Sequence, residues 1–224
     1  MANQDISQLH AEALELLKQL IATPSFSKEE NETAEILIHF FSQKGIEHFR
    51  VGNNVYAKNK FYDASKPSVL LNSHHDTVKP NAKYTRDPFE PVVEDGKLFG
   101  LGSNDAGGCL VSLIGAFCYF YEKEIPYNLI LAATAEEEIS GKNGIESILN
   151  ELPELELAIV GEPTLMQMAV AEKGLLVIDA IVKGKAGHAA REEGENAIYK
   201  ALDDLNKIRD FQFEKIWRYF WIHG

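Results

Sequence analysis

Ser68-Val-Leu-Leu-Asn-Ser-His-His-Asp76 decides the fold, because an apolar run feeds directly into polar, chemistry-bearing residues. Two further segments repeat the arrangement. Tyr127-Asn-Leu-Ile-Leu-Ala-Ala133 leads into Glu136-Glu-Glu138, and Leu157-Ala-Ile-Val160 leads into Gly161-Glu-Pro163. Continuous rather than alternating apolar strands indicate burial on both faces, as in a sheet covered by helices. Between them, residues 106–122 and 143–150 read as helices. The order predicts an α/β domain with a helix-covered, mostly parallel sheet.

Ile6, Leu9, Ala13, Leu16, Leu17 and Leu20 recur at helical spacing and predict a helix over 5–22, ending before Thr23-Pro24-Ser25. Ser27-Lys-Glu-Glu30 has the form of a capping box. It opens a second helix with the stripe Ile36, Leu37, Phe40 and Phe41, closed by Gly45. Short strands follow at 48–51 and 54–58. After Gly174 the pattern changes. Leu175 to Val182 is strand-like, Gly184 to Gly194 loop-like, and Asn196 to Arg209 an amphipathic helix on Ile198, Ala201, Leu202, Leu205 and Ile208. This divides the chain into an α/β domain over 1–174 and the start of a small α+β domain over 175–224.

The 224 residues are 45% hydrophobic and 25% charged, an ordinary globular balance able to bury a core. The net charge of -12 speaks against nucleic acid and acidic membrane surfaces, which need clustered Lys and Arg. The start, Met1-Ala-Asn-Gln-Asp5, lacks the basic region of a signal peptide, and no apolar run reaches membrane-spanning length. Cys109 and Cys118 lie nine residues apart on one predicted helix and so face opposite ways, which argues against a disulfide. A cytoplasmic protein is expected.

Each apolar strand thus ends in groups that ligate metals: His74, His75 and Asp76; Glu136, Glu137 and Glu138; Glu162. Asp105 adds another, in the glycine-rich turn Gly100-Leu-Gly-Ser-Asn-Asp-Ala-Gly-Gly108 before a helix. In open α/β sheets, sites form at the carboxyl ends of strands. A hydrolytic zinc uses His nitrogen and carboxylate oxygen with one position left open, and two such metals need a shared carboxylate to sit about 3.5–4 Å apart. Singly, each residue has a plain alternative: Asp105 could cap the following helix, and the Glu triplet could be a solvated face. Their joint placement at successive strand ends points to a metal site.

Five ordered motifs resemble one family. They are Ser73-His-His-Asp-Thr-Val78, Asp95-Gly-Lys-Leu-Phe-Gly-Leu-Gly-Ser-Asn-Asp105, Thr134-Ala-Glu-Glu-Glu138, Val160-Gly-Glu-Pro-Thr164 with Ala171-Glu-Lys-Gly-Leu-Leu176, and Gly187-His-Ala189 followed by Gly194-Glu-Asn-Ala-Ile198. They are similar to the co-catalytic zinc hydrolases that include acetylornithine deacetylase, succinyl-diaminopimelate desuccinylase, aminoacylase and carboxypeptidase G. The resemblance runs over residues 10–210. It implies a zinc-peptidase-like catalytic domain and a lid that also serves dimerisation. It implies two Zn2+ per complete site, with Co2+ able to substitute. It assigns His74 and Glu162 to one metal, Glu138 to the other and Asp105 to both. Asp76 would orient His74, Glu137 would be the general base, and His188 would bind substrate. The implied activity is hydrolysis of the amide of a small N-acyl amino acid, N-acetylornithine first, as in arginine biosynthesis. Succinyl-diaminopimelate and peptide substrates are the alternatives.

Leu101 stands where many members have Arg, Ala106-Gly107 replaces a common Met-Lys, and Glu136 replaces Asp. Family members also continue past the lid and supply a last histidine to the second metal. Here the chain stops at Gly224 after an aromatic stretch from Phe211 that holds both tryptophans and His223. The expectation is a chain truncated or frame-shifted from about Trp217, and a catalytically inert remnant is its non-enzymatic reading.

Overall fold

A computed structural model describes residues 6–171, 177–188, 190–191 and 193–212. The chain divides into two units, 1–169 and 170–224.

The first unit opens with α1 (Ile6–Ala22), whose stripe buries Leu9, Leu16, Leu17, Leu20 and Ile21. Next comes α2 (Asn31–Gln43), which buries Ala34, Leu37 and Phe41. It ends just before Gly45 takes the left-handed φ of 64°. Seven strands follow: β1 (His48–Val51), β2 (Asn54–Lys58), β3 (Ser68–His74), the short β4 (Val92–Glu94) and β5 (Lys97–Phe99), β6 (Asn128–Thr134) and β7 (Leu157–Val160). The hairpin of β4 and β5 stands apart. The other five form one sheet in the order β1-β2-β6-β3-β7. β6 pairs in parallel with β3, and β3 with β7, while β2 is antiparallel to both neighbours. Four strands therefore share one direction, as the apolar runs predict.

Alternation along the pleat sorts the core into two layers. Val55, Ala57, Leu71, Leu129, Leu131 and Ala133 join the buried stripes of α1, α2 and α3 (Cys109–Tyr121). Tyr56, Leu70, Ile130 and Ala132 face the other way, onto Ile148 and Leu152. All seven positions of β6 are buried. The central β6 and β3 therefore end at fixed heights, and the residues beyond them are held by the packed layers.

Four local expectations need correction. The capping box does not form: Glu30 occupies the N-cap of α2 without a side-chain cap bond. The Ser27 hydroxyl instead donates to Asp76 Oδ2 at 2.7 Å, because both side chains turn inward to a buried carboxylate network. The helix expected from residue 106 starts later, since Asp105 (φ -110°, ψ 102°) and Ala106 interrupt a π-helical turn over Ser103–Gly108. The helix expected over 143–150 is present as a 3₁₀ helix that starts two residues later, over Ile145–Glu151. β7, read as buried on both faces, leaves Leu157, Ile159 and Val160 47–57% exposed. It pairs with β3 alone among the described residues, so it is an edge.

In the second unit, α4 (Ala197–Asp210) begins at Asn196, whose side chain accepts from Ile198 N. The loop before it is closed by a bridge between Lys185 and Glu195. The strand expected over 175–182 is not formed at 177–182, and 175–176 lie outside the described residues. A strand needs a hydrogen-bonded neighbour, and the described residues of this unit offer only that one bridge. The aromatic stretch beyond Gln212 also lies outside the described residues. Both cysteines are free. Among the described residues, no helix is long and apolar enough to cross a membrane.

Candidate metal centre

Neighbouring parallel strands deliver the cluster. His74 closes β3, in register with Thr134 of β6, and Asn72 is in register with Val160 of β7. Glu137 and Glu138 follow β6 in a 3₁₀ turn, and Glu162 follows β7 by two residues. Gly161 N donates to Asn72 O at 2.7 Å, and Ser73 Oγ donates to Gly161 O at 2.8 Å, which ties the Glu162 loop to β3. A side chain at Gly161 would run into Leu113 and Cys109 of α3.

The buried His74 ring is the hub. Its Nε2 lies 3.3 Å from Asp105 Oδ1, 3.7 Å from Glu137 Oε2 and 3.8 Å from Glu162 Oε1. Among the described residues, two groups have ligand atoms within 4.8 Å of one another: His74 with Asp105 and Glu138, and His74 with Glu137 and Glu162. One imidazole and four carboxylates thus converge from four chain segments. Burial raises the pKa of Glu162, and the charges of Glu137, Asp105 and Glu138 add to it. Burial and Asp105 do the same for Glu138. Carboxylates crowded in this way favour a cation among them, and the donor set suits a divalent metal.

Asp76 is fully buried beneath the hub. Its Oδ1 lies 3.3 Å from His74 Nδ1 and accepts from Glu137 N at 3.0 Å. Its Oδ2 accepts from Glu138 N and from Ser27 Oγ. Burial opposes ionisation of Asp76, but the bonds from His74, Ser27 and Glu137 N outweigh it and hold its pKa low. Burial likewise opposes protonation of His74, yet Asp76, Glu162 and Glu137 raise it from 6.5 to about 9. In the metal-free protein the raised His74 contributes stability that is full below its ordinary value and lost as pH rises through about 9. The depressed Asp76 contributes stability present above the ordinary carboxylate range and lost as pH falls through its native value.

Asp76→Ala is expected to leave the amides of Glu137 and Glu138 without their acceptor and to remove the carboxylate beside His74 Nδ1, which keeps its 2.9 Å bond to the Asp76 backbone carbonyl. Each buried group left so costs about 1–3 kcal/mol. Loss of such an orienting partner typically weakens metal binding by roughly 10–100-fold. Denaturant unfolding and metal titration check the two effects.

The glycine-rich turn positions Asp105. Gly102 takes φ 74°, and Gly107 N donates to Gly102 O at 2.9 Å. A Cβ on Gly107 would lie 2.5 Å from Gly102 O and 2.7 Å from Leu17 Cδ1. Since the backbone oxygen cannot move aside, Gly107→Ala is expected to cost about 1–3 kcal/mol of stability. Thermal unfolding measures it.

Other residues singled out in the sequence stand elsewhere. His75 is buried and faces away, with Nδ1 2.9 Å from Thr33 Oγ1 and Nε2 3.0 Å from Asn53 O. Burial lowers its pKa. Glu136 is buried, and its Oε1 accepts from Asn143 Nδ2 at 2.8 Å. Leu101 is buried as well. His188, in the second unit, is exposed and accepts from Ala190 N through Nδ1. Ser27 and Glu30 carry the support of the site, yet their local pattern signals only a helix start.

Comparison with known proteins places the family and the fold. The profile described as Peptidase family M20/M25/M40 matches residues 70–216. An acetylornithine deacetylase of Proteus mirabilis (strain HI4320) is 30% identical over 214 residues, covering 88% of this chain and 55% of the relative. A succinyl-diaminopimelate desuccinylase of Wolbachia pipientis wMel is 27% identical over 226 residues, covering 92% and 56%. The crystal structure of a tripeptidase from Staphylococcus aureus superposes with a TM-score of 0.59 at 21% identity, covering 91% of this chain and 56% of that one. The chain spans little more than half the length of the curated relatives it matches.

Proposed function

This chain belongs to peptidase family M20/M25/M40, and from that premise we propose that its site hydrolyses the amide of a small N-acyl amino acid, N-acetylornithine first. The observation that carries the reading is the convergence of Asp105, Glu137 and Glu162 within 3.3–3.8 Å of His74 Nε2. A divalent metal, zinc in this reading with cobalt as substitute, would activate water and polarise the scissile carbonyl there. His74 and Glu162 would hold one ion, Glu138 the other, and Asp105 both. Glu137 accepts the proton of the attacking water and returns it to the leaving amine. Asp76 holds the His74 ring and the turn that carries Glu137. His188 is a substrate contact, and the second unit a lid and homodimer surface, on the strength of the family motif Gly187-His188. A cytoplasmic setting agrees with two unpaired cysteines.

A second reading, desuccinylation of succinyl-diaminopimelate, is favoured by the relative of that name at nearly the same identity. Assays of the zinc- and cobalt-loaded chain on acetylornithine, succinyl-diaminopimelate and dipeptides separate the two. The proposal expects the highest kcat/KM on acetylornithine and loss of activity with a chelator. Preference for the succinyl substrate installs the second reading, and no hydrolysis by metal-loaded protein overturns both in favour of a catalytically inert remnant.

A further inference from the structure

The Glu30 carboxylate is fully buried and takes no part in the metal-ligand groups. Its Oε1 accepts from Lys28 N at 2.6 Å and from Glu136 N at 3.2 Å. Its Oε2 accepts from Asn53 Nδ2 at 2.8 Å. Lys28 and Glu136 are both non-glycine residues in the left-handed region, at φ 78° and 53°. One carboxylate oxygen therefore restrains two residues whose backbones would otherwise leave that conformation. Glu136 immediately precedes Glu137. The next two amides, Glu137 N and Glu138 N, are held by Asp76. Three successive amides of the turn are thus clamped by two buried carboxylates reaching it from different segments. The far side is closed by Gly141 N donating to Glu136 O and by Asn143 on the Glu136 carboxylate.

Among the described residues, Asp76 anchors the amides of Glu137 and Glu138. The direction in which the chain enters Glu137 is set one residue earlier, at Glu136, and Glu30 holds that amide. We infer that Glu30 is a positioning residue for Glu137: it pins the left-handed Glu136 so that the following carboxylate points at His74, without touching metal or substrate. This rests on the reading of Glu137 as the base.

The test uses the whole zinc-loaded chain with Glu30→Ala, alone and combined with Glu137→Gln. Misplacing a reacting group by about 1 Å costs up to roughly 10²-fold. Glu30→Ala should therefore lower kcat by roughly 10- to 100-fold, with KM and metal stoichiometry unchanged. Amide exchange at residues 136–138 should quicken while Leu129 to Ala133 stay protected. In the Glu137→Gln background the same substitution should cost nothing further, since both act on one group. Glu30→Gln, which keeps an oxygen acceptor, should restore most of the rate. If Glu30→Ala does not fold, Glu30→Asp, one methylene shorter, should show a rate loss that likewise vanishes with Glu137→Gln. An equal loss in both backgrounds, or unchanged exchange at 136–138, overturns the inference. A fully active Glu137→Gln instead overturns the assignment of the base, and this inference with it.

Discussion

Glu137→Gln is expected to lower turnover by roughly 10²–10⁴-fold while leaving metal content nearly intact. The amide fills the same space but cannot accept the proton of the attacking water. Glu137 is suited to that work: its side chain is 54% exposed, so substrate and water can reach it, yet its backbone amide is fixed on Asp76. The loss corresponds to about 3–5 kcal/mol of barrier. Metal should stay, because His74, Asp105, Glu138 and Glu162 remain. Metal analysis beside steady-state kinetics checks both halves. Parallel loss of metal and rate would make Glu137 a ligand, which its grouping with His74 and Glu162 also allows. Full activity would remove it from the chemistry. Glu136 would then be no substitute, since its carboxylate is buried against Asn143.

How much of the site is legible in the sequence depends on where each residue lies. His74, Glu138 and Glu162 are legible because each follows an apolar run without alternation, and a parallel sheet gathers the residues just beyond such strands at one end. Asp105 is legible from the glycine-rich turn that carries it, where Gly107 N bonds to Gly102 O with no room for a Cβ on Gly107. The supports are not. Ser27 and Glu30 match a local helix-start pattern, and only the fold brings them 49 and 106 residues along the chain to Asp76 and Glu136. Likewise β7 has the composition of a central strand, and only the pairing shows it at an edge. Sequence periodicity reports which face a residue prefers. It carries no information on which distant carboxylate an amide will meet.

Asp105→Ala is expected to release both metals of the proposed centre together, where Glu162→Ala releases mainly one. The difference comes from position. Asp105 lies 3.3 Å from the hub nitrogen and groups with both His74 and Glu138, whereas Glu162 groups with His74 and Glu137. A carboxylate shared by two ions holds them about 3.5–4 Å apart and screens their mutual repulsion. Without it each ion loses a ligand, and zinc sites normally keep at least three from the protein. Each affinity should therefore fall by more than the roughly 10–100-fold that loss of an orienting partner costs. Removing Glu162 strips one ion only and leaves Asp105 with Glu138 for the other. Calorimetric titration with zinc should show a strong event at His74, Asp105 and Glu162 and a weaker one at Asp105 and Glu138 in the parent, only weak binding in Glu162→Ala, and none at micromolar concentration in Asp105→Ala. Amide hydrolysis should be abolished in Asp105→Ala, because neither the water nor the carbonyl is then polarised. Single, independent losses of equal size in the two variants would mean that Asp105 serves one ion alone, and the shared-carboxylate centre would have to be given up.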